Sequence, residues 1–300
     1  MKILFTFPGQ GGQRPGMLAM IPDREAILTQ ARAVLGDEVA TLDSADALQH
    51  TRAVQLCLLI AGVAWARELQ RQGVDPQMVS GLSIGAFPAA VIAGALDFAS
   101  ALRLVALRGD LMEQAYPEGY GLTAIMGLTR PRVEALMQGH EVYLANLNAE
   151  TQFVIAGRDE AMAEVAQLAL RAGASKAQRL AVSVPSHCAL LDKPAAELAK
   201  AFAGASLRRP WCAYLSGSTA RVLWDPQRIA DDLAMNMART VHWQEAMIAA
   251  DERDARLAIE MPPGGVLTCL TRHAGWRGET IALERSGLDV ARHLAQRLSD

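Results

Sequence analysis

Apolar residues along the chain fall into short strand-like runs and longer helical faces that recur in a mixed order. Residues 3–7 form a β-prone run closed by Pro8 and a glycine-rich loop, which predicts a buried first strand whose C-terminal end opens into that loop. Residues 52–70 are rich in Ala and Leu and apolar on nearly every side, as expected of a helix packed deep against a sheet. Gly73-Val74-Asp75-Pro76 breaks that helix. Residues 78–80 predict a second short strand running straight into Gly81-Leu82-Ser83-Ile84-Gly85, with a helix over 86–95 behind it. Asp97 can cap the next helix, in which Ala101, Leu104, Val105, Arg108 and Met112 recur at spacings of three and four.

From Gly119 the pattern changes. It predicts a strand over 123–126, a helix after Pro131, strands over 142–145 and 152–155, a helix over 159–172 and a strand over 179–184. That order, βαββαβ, is the split βαβ arrangement of ferredoxin-like domains. After His187 come a helix, a strand near 211–215, a long helical stretch through Ala250, a strand over 256–260 and a final turn-and-helix region. The reading is therefore an α/β protein: a large domain with a mostly parallel sheet made of residues 1–118 and 188–300, and an inserted ferredoxin-like domain over 119–187.

With 300 residues, 51% of them hydrophobic, the chain can bury a large core. A net charge of −3 and the absence of any run of like charges give no footprint for nucleic acid, so no nucleic-acid partner is expected. Cys57, Cys188, Cys212 and Cys269 lie far apart, with no C-x-x-C pair; they read as buried apolar thiols, and no metal site is expected. The apolar stretch 53–66 contains Gln55, lies between Arg52 and Arg67 and is too short to span a bilayer. The N-terminal run before Pro8 is too short for a signal peptide, so a cytoplasmic protein is expected.

Gly81-Leu82-Ser83-Ile84-Gly85 matches G-x-S-x-G, whose small flanking residues permit a tight strand-to-helix turn that exposes the serine. The flanking strand and helix favour a nucleophile over a mere turn. Pro8-Gly9-Gln10-Gly11-Gly12-Gln13 fits neither nucleotide template: it lacks the Lys-Ser/Thr of a P-loop, and Arg14 stands where G-x-G-x-x-G needs its third glycine. It reads either as a plain glycine-rich connection or as a loop whose backbone N–H stabilises an oxyanion, with the N–H of Ile84 as second donor. A serine needs a base, and of the six histidines His50, His140, His273 and His293 lie in polar or helical surroundings. His187 follows an apolar run through Pro185-Ser186, a place suited either to a catalytic or to a purely structural histidine. Arg108 shares a helical row with aliphatic residues. It either snorkels or pairs with Asp110 or Glu113, or it clamps a substrate carboxylate; the pattern leaves both readings open.

Taken in order, Phe7-Pro8-Gly9-Gln10-Gly11, Gly81-x-Ser83-x-Gly85, Leu107-Arg108-Gly109, Ala145-Asn146-x-Asn148 with Val154-Ile155-x-Gly157, and Val182-Ser183-Val184-Pro185-Ser186-His187 resemble the malonyl-CoA:acyl-carrier-protein transacylase family through nearly the whole chain. The resemblance implies a hydrolase-like large domain with a ferredoxin-like insert. It implies Ser83 as nucleophile, His187 as base, Arg108 as carboxylate clamp and the backbone N–H groups of Gln10 and Ile84 as oxyanion hole. The family holds its histidine through backbone carbonyls, and the segment Val241-His242-Trp243 is similar to the one that gives this support, which makes His242 a candidate.

Leu82 and Ala86 depart from the His and Glu usual in fatty-acid members, and Met261-Pro262-Pro263-Gly264 departs from Val-Gly-Pro-Gly. Together with residues 11–18 and 83–87, these make the chain look most like the malonyltransferase subunits of bacterial malonate decarboxylase. That resemblance implies malonyl-CoA as substrate, the malonate decarboxylase carrier protein as partner, and no permanently bound cofactor or membrane. The alternatives are a transacylase of fatty-acid or polyketide synthesis, a serine hydrolase, and an inactive carrier-docking subunit.

Overall fold

A computed structural model describes residues 1–116 and 118–299. Its strands are β1 (Lys2–Phe7), β2 (Met78–Gly81), β3 (Tyr120–Met126), β4 (Val142–Ala149), β5 (Gln152–Arg158), β6 (Lys176–Arg179), β7 (Ala213–Leu215), β8 (Val222–Leu223), β9 (Ala255–Glu260) and β10 (Glu279–Ala282). They form two sheets. The larger has the order β10-β9-β1-β2-β7-β8 and is parallel except for β8, which runs antiparallel to β7.

β1 explains why this sheet is sandwiched. Ile3, Phe5 and Phe7 enter one core with the helices Thr51–Arg71, Ala86–Ile92 and Phe98–Ala115, while Leu4 enters another with Trp243, Met247 and Leu267. Alternate residues thus face opposite layers, and a strand covered on both sides reads as a continuous apolar run. Among the described residues no helix is long and apolar enough to cross a membrane.

The smaller sheet has the order β4-β5-β3-β6 and is antiparallel throughout. Helices Arg130–Met137 and Asp159–Arg171 cover one face, packing Val133, Met162 and Val165 with Ile125, Phe153 and Ile155 of the strands. The segment that leads into the helix Trp243–Glu252 is stitched to β4 of the small sheet. Val241 donates to the Ala145 carbonyl and accepts from the Leu147 N–H, both at 2.8 Å, and the Thr240 hydroxyl donates to the Leu144 carbonyl at 3.0 Å.

Several elements differ from the sequence reading. The last strand of the small sheet is Lys176–Arg179, a polar edge strand, and not residues 179–184. Leu180 still donates its N–H to the Leu122 carbonyl at 2.9 Å, but beyond it the Arg179 guanidinium gathers the carbonyls of Tyr120, Leu122, Leu180 and Val182, and the chain leaves the sheet and runs on as an irregular connection to His187. The helical stretch expected up to Ala250 is interrupted by β8 and divided into Pro226–Met235 and Trp243–Glu252. Asp225 caps the first of these by accepting the Arg228 N–H at 2.9 Å, with Pro226 at the first turn, a helix-start signal present in the sequence. β10 lies within what reads as turn and helix; four residues on a sheet edge carry too little alternation to announce themselves. Cys57, Cys188 and Cys212 are buried, whereas Cys269 is exposed.

Candidate active site

The site gathers at the C-terminal ends of β1 and β2, which are paired in register from Leu4↔Met78 to Phe7↔Gly81. After Gly81 the chain turns at once into a 3-10 turn, Ser83–Gly85, and then the helix Ala86–Ile92. The turn has room for no side chain at its two glycines. A Cβ on Gly81 would lie 2.0 Å from the Gly85 carbonyl carbon, and one on Gly85 would lie 2.1 Å from the Phe7 carbonyl oxygen. Ser83 itself has φ 57°, a left-handed conformation that costs a non-glycine residue on the order of 1 kcal/mol or more. The surroundings enforce it, and the half-buried serine is presented beyond the C-terminal end of β2.

The Pro8–Gly11 loop lies against this turn. Leu82 donates its N–H to the Phe7 carbonyl at 3.0 Å, and a Cβ on Gly9 would sit 3.0 Å from Leu82 Cδ2 and 3.6 Å from Ser83 Cβ. Gln10 and Ile84, whose backbone N–H groups are the expected oxyanion donors, are therefore neighbours of Gly9 and Ser83 on adjoining loops.

Arg108 comes from the helix Phe98–Ala115 and is fully buried, at 0% exposure. It neither snorkels nor pairs locally: Asp110 binds Arg52 at 2.6 Å, and Glu113 binds His50 and the Thr51 N–H. Its Nη2 donates to Ser83 Oγ at 3.2 Å and to Asn236 Oδ1 at 3.0 Å, and its guanidinium carbon lies 6.0 Å from the centre of the Phe87 ring. Nε and Nη1 are buried without an acceptor, and among the described residues no carboxylate balances the charge. Burial pulls the guanidinium down to about 9, which still leaves a cation at neutral pH. A buried, unpaired cation with unused donors is costly unless an anion arrives to meet it.

His187, 2% exposed, also adopts a left-handed conformation, φ 66°. Its N–H donates to the Met237 carbonyl at 2.6 Å, and its Nδ1 faces the carbonyls of Asn236 at 2.8 Å and Arg239 at 3.3 Å. Carbonyls only accept, so the partners assign the proton to Nδ1 and leave Nε2 with a lone pair. Burial first, and then the Arg108 charge, pull the ring down to about 4, against the opposing effect of the two carbonyls.

His242 is not at this position. Its N–H donates to the Gly217 carbonyl at 2.7 Å and its Nδ1 lies 3.4 Å from Glu245. The carbonyls that meet His187 belong to residues three and six positions earlier, because a 3-10 turn at Asn236–Ala238 aims them inward. Asn236 is the residue that sequence reasoning missed. Its signal was slight: one polar side chain within the long stretch through Ala250 that reads as helix.

Residues 4–284 match the family described as an acyl transferase domain, and the chain belongs to it and is an acyltransferase. The malonyl CoA-acyl carrier protein transacylase of Escherichia coli K12 is 37% identical over 284 residues, 90% of this chain and 92% of that protein. The one from Bacillus subtilis is 32% identical over 298 residues, covering 94% and 93%. Among solved structures, the acyl-carrier-protein S-malonyltransferase of Burkholderia pseudomallei superposes with a TM-score of 0.91 at 33% identity, over 98% of this chain and 100% of that one. A type II PKS acyl-carrier protein in complex with its malonyl-transacylase gives 0.91 at 34% identity, again over 98% and 100%. Within the acyltransferases, the chain belongs to the malonyl-CoA:acyl-carrier-protein transacylase family.

Proposed function

We propose that this protein moves a malonyl group from malonyl-CoA to the thiol of an acyl carrier protein through an ester on Ser83. The observation that carries the reading is Arg108, a buried cation with two unused donor nitrogens beside the serine hydroxyl. An acyl group ending in a free carboxylate supplies the missing anion, and a planar guanidinium matches it.

Ser83 gives its proton to His187 Nε2 as Oγ attacks the thioester carbonyl, and the backbone N–H groups of Gln10 and Ile84 hold the oxyanion. Collapse breaks the C–S bond, and the proton on His187 leaves with coenzyme A as its thiol. The carrier thiol then attacks the Ser83 ester with His187 again taking the proton, and the second collapse returns that proton to Ser83. The carbonyls of Asn236 and Arg239 fix the tautomer that this requires and stabilise the imidazolium as it forms.

The same reading makes the larger unit hydrolase-like, supported by a turn at the end of a parallel strand, and residues 119–187 a ferredoxin-like insert, supported by the strand order β4-β5-β3-β6. The particular carrier rests on narrower ground. Leu82 and Ala86 flank the nucleophile where fatty-acid enzymes usually carry His and Glu, and they favour the malonate decarboxylase carrier; that carrier should be malonylated faster than a fatty-acid carrier at equal concentration. Equal or reversed rates would assign the chain to fatty-acid synthesis.

Incubation with malonyl-CoA should add one malonyl mass to the peptide containing Ser83. Ser83→Ala should abolish it, and His187→Ala should slow acylation at least about a hundredfold. Labelling elsewhere, or undiminished transfer by the alanine variant, would overturn the mechanism.

A further inference from the structure

The helix Pro226–Met235 ends in the 3-10 turn Asn236–Ala238, and helix ends leave their last carbonyls without intrahelical partners. Here those carbonyls serve His187: Met237 takes its N–H, and Asn236 and Arg239 take Nδ1. The side chain of Asn236, 4% exposed, works in the other direction. Its Oδ1 accepts from Arg108 Nη2 at 3.0 Å, and its Nδ2 donates to the Ser83 carbonyl at 3.2 Å. The guanidinium has only donors and the carbonyl only accepts, so the partners fix which way the amide points.

Consider what other side chains would do there. A carboxylate would pair with Arg108 and cancel the charge that a substrate carboxylate is meant to meet. An apolar residue would leave Nη2 and the Ser83 carbonyl each short of a partner. An amide holds both groups and stays neutral.

We infer that Asn236 is a positioning residue that ties the Arg108 guanidinium to the backbone of the nucleophile turn without neutralising it, and thereby sets the preference for acyl groups that bear a free carboxylate. The inference rests on the reading of Arg108 as a carboxylate clamp and goes beyond it, because it places part of the selectivity in a residue that need not touch the substrate.

The test measures acylation of Ser83 by malonyl-CoA and acetyl-CoA in wild type and in Asn236→Ala, Asn236→Asp and Asn236→Gln. Asn236→Ala should lower malonyl kcat/KM by about tenfold to a hundredfold, the range for a lost hydrogen bond to a charged group, with a smaller loss for acetyl. Asn236→Asp should depress malonyl transfer further, mainly through KM, because its carboxylate occupies Arg108. Asn236→Gln keeps the amide and should recover part of the malonyl preference. In an Arg108→Ala background, Asn236→Ala should leave the malonyl-to-acetyl ratio within about twofold of the single variant, since the two share one interaction.

Parallel losses for both thioesters across the folded variants, or an Asn236→Asp enzyme with wild-type malonyl KM, would overturn the inference. Those outcomes leave the clamp intact if Arg108→Ala still loses malonyl selectively. If Arg108→Ala shows no such selectivity, the reading of Arg108 fails first.

Discussion

Arg108 Nη2 donates to the Ser83 hydroxyl at 3.2 Å, so the buried cation and the nucleophile are in direct contact. This contact engages a lone pair of Oγ, leaves the hydroxyl proton for transfer, and sets positive charge beside an oxygen that becomes more negative as the proton departs. Arg108→Ala should therefore harm both thioesters, but malonyl far more. Leaving a desolvated carboxylate unpaired costs about 2 to 5 kcal/mol, which lowers malonyl-CoA kcat/KM by roughly thirtyfold to several thousandfold. Acetyl-CoA should lose no more than about tenfold, the lower end for one charged hydrogen bond. Arg108→Lys should recover little, because an ammonium lacks the fork. Steady-state kinetics with both thioesters on folded variants check this, and equal losses would exclude the clamp.

The depressed histidine has two consequences for pH. Since burial and the Arg108 charge hold His187 down at about 4, the acid limb of kcat/KM should fall well below the ordinary histidine range near ~6.5. The unfolded chain takes up this proton near ~6.5, so below that value it binds more protons than the folded chain. The stability contributed by a neutral buried ring is thus complete above about 6.5 and is lost as pH falls toward about 4. His187→Gln should flatten that part of the stability curve. Denaturant titrations of both proteins across this range measure the difference, and identical slopes would contradict it.

Gly85→Ala and Gly204→Ala make a matched pair. The first would push a methyl to 2.1 Å from the Phe7 carbonyl oxygen, a backbone atom that cannot swing aside, whereas nothing lies within 4 Å of a Cβ on Gly204. Gly85→Ala should yield little folded protein or lose more than about 4 kcal/mol, and Gly204→Ala should stay within about 0.5 kcal/mol of wild type. Thermal and denaturant melts compare them.

Arg179 should prove important for the route to His187 rather than for the sheet. Its guanidinium gathers carbonyls from Tyr120, Leu122, Leu180 and Val182 and pairs with Asp159 at 2.8 Å. Arg179→Ala should speed amide exchange across residues 180–187 and reduce kcat, while β3 and β5, paired along their whole length, stay protected. Unchanged exchange in that segment would show that the chain is held by something else.

What could be read from the sequence was what local sterics encode. Gly81 and Gly85 mark the turn because their clashes arise within five residues and with the neighbouring strand, and the buried strand β1 is visible as an unbroken apolar run. Arg108 stood out as a charge on an apolar row, but its meaning depended on Asp110 being taken by Arg52, a fact of tertiary structure. Asn236 was not visible, since its partners lie 128 and 153 positions away. The apolar residues 181–184 suggested a strand because they lead into the buried approach to His187, while the true edge strand is polar and partly solvated.

The stitch at Val241 has a mechanical meaning. Residue 236 is fastened to Ser83 in the turn that follows β2 of the large sheet, and residue 241 is fastened to Ala145 and Leu147 on the small one. A short stretch joins these two anchorages, at roughly 3.5 Å per residue when fully drawn out. The same stretch carries the Arg239 carbonyl that faces the base, and His187 itself arrives along a chain leaving β6. The separation of nucleophile and small sheet is thus metered by a count of residues, like a strut cut to length. Adding or removing one residue between 236 and 241 would shift the reach of His187 toward Ser83 in a way that substitution of side chains there would not.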